Sequence, residues 1–114
     1  MKEDFFQKLF DLVEERKNST SKDSYVKSLF DAGHQKINEK VLEESLELLE
    51  ATLDTSNSKQ EKVIHETADL WFHTLILLSN ENIKLEEIIS ELESRFGTSG
   101  HLEKASRSSS EEEK

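Results

Sequence analysis

The sequence predicts an all-α fold, a bundle of four to five helices, and three observations predict it. Pro is absent from the 114 residues and Gly occurs three times, so the residues that punctuate turn-rich β folds are nearly missing. Charged residues make up 35% of the chain, chiefly Glu and Lys, which with Leu are good helix formers. Apolar residues recur every three or four positions instead of alternating, the period of a helix with one buried face.

The length is that of one small domain with a single core, expected to run over residues 1–107. The low-complexity SSSEEEK at 108–114 is expected to be a disordered tail. In the first helix, Phe5, Phe6, Leu9, Leu12 and Val13 form the apolar face, and the helix should end near Lys17. The polar NSTSKDS follows, and Ser24 or Asp23 should cap a short helix through Tyr25, Leu29 and Phe30 that Gly33 stops.

A third helix should run from about His34 to Leu53, with Leu42, Leu46, Leu49 and Leu53 as one apolar stripe. On another face Lys36, Lys40, Glu43 and Glu47 repeat the same offsets, and Glu44 stands one residue round from them. After DTSNS a fourth helix, from about Lys59 to Ser79, carries Ile64, Ala68, Trp71, Leu75 and Leu78 on one stripe and Val63, Leu70 and Leu77 on another. It reads as the central, most buried helix, with Trp71 and Phe72 as core. Its polar residues Glu66, Asp69 and His73 share one face. A last helix, Leu85 to Phe96, ends at the plausible cap Gly97.

A formal charge of −10 argues against a nucleic-acid backbone or an anionic membrane as partner, since both would repel the chain. No Cys is present for a disulfide or thiolate site. The N-terminal MKEDFFQKLFDLVEE is amphipathic and acidic, unlike a signal peptide, and no run approaches the roughly 20 apolar residues of a membrane span. A soluble, cytoplasmic protein is expected.

The acids carry the chemistry. Glu43, Glu44 and Glu47, facing Glu66 and Asp69 across an antiparallel helix pair, would converge on a hard divalent cation such as Mg²⁺. Spacing alone is weak evidence, because with 25 acidic residues the pattern EExxE should arise by chance about once. For EESLE a solvated face paired to lysines is the competing account. Glu66 and Asp69 are harder to dismiss, since an uncompensated carboxylate is costly on a mostly apolar helix. His73 could be a ligand, a proton shuttle or, most commonly for such a residue, a satisfied histidine near the core. Lys36 and Lys40 could meet phosphates or simply pair with neighbouring acids.

The strings SYVKSLFDAGHQKINEKVLEESLE, HETADLWFHTLILL and SGHLEKASR together resemble the phosphoribosyl-ATP pyrophosphatases of histidine biosynthesis, a branch of the all-α NTP pyrophosphatases related to MazG. The likeness runs from about Phe5 to Arg107; its most specific parts are Ser24, Tyr25, the Gly33–Val41 run and the tail from Ser99 to Arg107. It implies Mg²⁺-dependent hydrolysis of the α–β phosphoanhydride of the nucleotide substrate phosphoribosyl-ATP to phosphoribosyl-AMP and pyrophosphate, by a homodimer. By position it implies Glu43, Glu44, Glu47, Glu66 and Asp69 as metal ligands. One of the first three would position or deprotonate the attacking water, and Lys36, Lys40, Lys104 and Arg107 are phosphate candidates. The chain departs from the family pattern at Leu42, where Gly is usual, and at Val26, Ser45 and Phe72, where Thr, Ala and Tyr are usual; none of these is a proposed ligand. Two other functions compete. One is a MazG-type house-cleaning nucleoside triphosphate pyrophosphatase, which shares the acids; the other is a non-catalytic helical interaction module whose acids form a solvated face.

Overall fold

The computed structural model describes residues 4–20 and 24–97, and among these there is no strand. The helices are α1 (Phe5–Lys17), α2 (Tyr25–Ala32), α3 (His34–Ala51), α4 (Lys59–Asn80) and α5 (Leu85–Phe96). The first four belong to one compact unit that ends at Ile83, and α5 belongs to a second that begins at Lys84. No described helix is long and apolar enough to cross a membrane.

Local chemistry sets the boundaries. Ser24 is extended and its hydroxyl accepts from the Lys27 amide, so it caps α2 as a serine at that position should. Gly33 alone separates α2 from α3 with φ +103 and ψ 173, a conformation that a side chain resists, so the reversal between these helices depends on glycine. Beyond α4, Asn82 takes φ 61, and the Ile83 amide returns to the Leu78 carbonyl at 2.9 Å, closing the helix end.

Val13, Val26, Leu29, Ile37 and Ile76, one or two from each of the first four helices, form the buried cluster, with Phe30, Phe72 and Leu77 packed against it. Phe10, which the apolar face read from α1 omitted, is also buried, whereas Phe5, Phe6 and Leu12 are exposed. A partly buried polar tie fixes α1 on α4. Lys17 Nζ donates to the Ser79 carbonyl at 2.8 Å, the Ser79 hydroxyl donates to Glu14, and the Lys17 ammonium lies 5.7 Å from the centre of the Phe30 ring. Ser79 is fully buried, so this tie satisfies a hydroxyl that would otherwise be costly there.

The inward face of α3 differs from the expected leucine stripe. Ile37, Glu44 and Ala51 are buried and Val41 and Leu48 half-buried, while Leu42, Leu46, Leu49 and Leu53 are 54–79% exposed. On α4 the N-terminal half of the expected stripe is likewise outside. Ile64 and Trp71 are exposed, and Trp71 packs on Phe6 with ring centroids 5.4 Å apart instead of entering the core. The inward line of α4 is the one that begins polar and ends apolar, Glu66, Asp69, His73 and Ile76. α5, taken by itself, has a capping box at Lys84 and Glu87 and no buried residue.

Candidate metal centre

Two packed helices, α3 and α4, build the site. Asp54 pairs with Lys62 just beyond the end of α3, Glu47 stands against Glu66, Glu44 against Asp69, and Ile37 shares the core cluster with Ile76. Positions rising along one helix meet positions falling along the other, so the pair is antiparallel. This places the carboxylates at mid-height between the connecting loop and the core.

Glu44, Glu66 and Asp69 each offer an oxygen such that all three lie within 4.8 Å of one another. Glu44 is 6% exposed, and Glu44 Oε1 and Glu66 Oε1 are buried with no hydrogen-bond partner. Three anionic groups so close, two with orphaned buried oxygens, leave a large electrostatic deficit that a cation satisfies. An all-oxygen donor set suits a hard ion such as Mg²⁺, Ca²⁺ or Mn²⁺. Burial raises the Glu44 carboxyl above the ordinary glutamate range, and the neighbouring Asp69, Glu47 and Glu66 charges add to the rise. Glu47 is raised as well, by desolvation and then by the neighbouring Glu66.

Glu43 lies apart from that trio. Its Oε1 accepts from Lys40 Nζ at 2.9 Å, and this bond holds its carboxyl below the ordinary range and raises the Lys40 ammonium. Lys40 Nζ is also 4.0 Å from Glu44 Oε2, so one half-buried cation serves both acids. Lys36 is exposed one turn earlier, and its charge also lowers Glu43. Lys104 and Arg107 lie outside the described residues.

His73 has both ring nitrogens engaged. A carbonyl only accepts, so Nδ1 carries the proton that it gives to the Asp69 carbonyl at 2.9 Å. In the neutral ring Nε2 then accepts from the Tyr25 hydroxyl at 2.7 Å. His73 is therefore a satisfied, buried histidine with no nitrogen left for a cation or a water.

Two neighbours were not assigned to the site from the sequence, although Tyr25 is among the most specific parts of the family resemblance. Tyr25 is 48 positions from His73 and carries no spacing signal; burial raises its hydroxyl, and the Lys40, Glu44, Glu43 and Asp69 charges all reach it. His65 could have been found, because it stands one helical turn before Asp69, and its Nε2 lies 3.2 Å from Asp69 Oδ2.

The chain is similar to known proteins over most of its length. Residues 6–96 match the family described as phosphoribosyl-ATP pyrophosphohydrolase. The chain is 50% identical over 100 residues, covering 88% of it and 92% of the relative, to the phosphoribosyl-ATP pyrophosphatase of Vesicomyosocius okutanii subsp. Calyptogena okutanii (strain HA). It is 45% identical over 104 residues, covering 91% of it and 96% of the relative, to the phosphoribosyl-ATP pyrophosphatase of Ruthia magnifica subsp. Calyptogena magnifica. With a family match across most of the chain and relatives of nearly the same length, the chain belongs to the phosphoribosyl-ATP pyrophosphohydrolase family.

Proposed function

We propose that this protein hydrolyses phosphoribosyl-ATP to phosphoribosyl-AMP and pyrophosphate in histidine biosynthesis, with a divalent cation held by Glu44, Glu66 and Asp69. The reaction follows from family membership and from the names of the two relatives. The single observation that supports the cation is the close, mutually repelling trio, one buried and two half-buried, with buried partnerless oxygens on Glu44 and Glu66. Mg²⁺ is the ion we assign, because it favours oxygen ligands and bridges substrate phosphates. Bound there, it would supply charge neutralisation on the phosphate oxygens and lower the pKa of a coordinated water.

The remaining roles belong to side chains. Glu47, beside Glu66 and with a raised carboxyl, is assigned to extend the trio and to accept a proton from the attacking water. Glu43 is assigned to the same acid set once it is released from Lys40. Lys36 and Lys40, on the neighbouring face of α3, are assigned to the phosphate oxygens, where an ammonium acts as a point charge. Lys104 and Arg107 are assigned the same task by resemblance.

The outward leucines of α3 and Ile64 and Trp71 of α4 are large apolar side chains left exposed, the kind of surface that marks an interaction site. We assign it to a second copy, so that the working unit is a homodimer in the cytoplasm. The substrate assignment is tested by measuring pyrophosphate release from phosphoribosyl-ATP alongside ATP, GTP and deoxynucleoside triphosphates. Release confined to phosphoribosyl-ATP supports the reading. Release from the other nucleotides alone moves the protein to house-cleaning hydrolysis, and release from none fits an interaction module.

A further inference from the structure

Lys40 is the one described cation within 4.0 Å of both Glu43 and Glu44, and its position has a consequence for binding. Its bond to Glu43 at 2.9 Å is made on the exposed side of α3, whereas its approach at 4.0 Å is to Glu44, the buried member of the trio. One ammonium therefore anchors an acid outside the gap and lends positive charge to an acid inside it.

We propose that Lys40 is a positioning residue that acts as a latch. It holds Glu43 away from the gap between Glu44, Glu66 and Asp69 until a substrate phosphate takes its ammonium and frees Glu43 to join the other acids. The inference rests on the reading of that trio as the cation site.

The energetics permit such an exchange. An exposed Lys–Glu pair three residues apart on a helix contributes little net stability, so it is readily given up. A phosphate chain carries several negative charges and acceptor oxygens, so it competes for the ammonium more strongly than one carboxylate does. Glu43 is exposed and can change rotamer without disturbing the core. While Lys40 stays in place its charge opposes a cation entering the trio; once the ammonium turns to phosphate, the site gains a carboxylate. Cation and substrate would then bind cooperatively, with the coupling carried by a single side chain.

The latch makes a prediction that a structural role for Lys40 does not: removing it should strengthen cation binding. Titration calorimetry of Mg²⁺ and Mn²⁺ into the nucleotide-free protein should give a three- to tenfold tighter Kd for K40M, on the order expected for losing a unit charge within a Debye length of a divalent ion. K40Q should behave alike if the methionine variant folds poorly. E43Q alone should bind the ion no more tightly than wild type, since Lys40 is then free to turn to Glu44. The double variant K40M/E43Q should show a smaller gain than K40M, because the released carboxylate is gone. An unchanged or weaker Kd in both Lys40 variants overturns the latch, and so does a double variant that keeps the full gain. Wild-type protein that binds neither ion defeats the cation reading itself, a result distinct from failure of the latch alone.

Discussion

The Tyr25 hydroxyl and His73 Nε2, 2.7 Å apart, join α2 to the turn of α4 that carries Asp69. His73 is 6% exposed, so its ring has little access to water as a substitute partner. Y25F should therefore leave a buried acceptor unpaired and lower stability by about 1–2 kcal/mol. Because replacing both partners by apolar groups is far less costly, Y25F/H73F should be less destabilised than the sum of its single variants. Urea denaturation of the four proteins measures that coupling. Strict additivity would mean that the bond contributes nothing.

Glu44 should destabilise the protein when no cation is present. Its carboxyl is raised in the folded chain, so the native state holds this proton more tightly than the unfolded state does. The associated stability is present below the ordinary glutamate range and is lost as pH rises through the raised native value. Glu47 acts with the same sign, whereas Glu43 and Asp54, both lowered by lysine partners, contribute stability that is lost only as pH falls below the ordinary range. E44Q should consequently melt higher than wild type at pH 7 in chelator, by several degrees for a gain of about 1 kcal/mol. The difference should vanish below about pH 4. Adding Mg²⁺ should raise the melting temperature of wild type and not that of E44Q.

Gly33 should resist substitution although open space surrounds its Cα. A Cβ there would meet nothing within 4 Å, so the cost of G33A comes from φ +103 alone. A loss of about 1–3 kcal/mol in denaturant unfolding is expected. A neutral G33A would mean that the α2–α3 junction relaxes freely.

Leu46 and Leu49 face outward, 54% and 61% exposed, so acidic replacements there should leave the fold of the subunit intact. L46E/L49E should sediment as a monomer with an unchanged circular dichroism spectrum, while wild type sediments as a dimer. Wild type sedimenting as a monomer at micromolar concentration would remove the role assigned to this face.

The helices were legible in the sequence because capping and breaking residues mark their ends. Ser24 starts α2, Gly33 ends it, and α1 and α5 occupy the expected spans. Which face of α3 points inward was not legible. The sequence offers two lines, and the line with more leucines lies outside, while the inward line places Glu44 where an apolar residue would be expected. Apolar periodicity identifies a stripe, but it cannot tell a core from a surface awaiting a partner. Trp71 misled for the same reason. The opposition of Glu44 to Glu66 and Asp69 could be anticipated from a short connection and an antiparallel pair. The separation of Glu43 could not, because it depends on which acid Lys40 bonds.

The trio is tested most directly by following pyrophosphate release from phosphoribosyl-ATP by wild type and D69N, each with Mg²⁺ and with excess chelator. Release by wild type should need Mg²⁺, and D69N should lose at least about a hundredfold while melting no lower than wild type in chelator. Undiminished turnover by D69N, or wild-type turnover that chelator leaves untouched, would contradict the assignment of the trio.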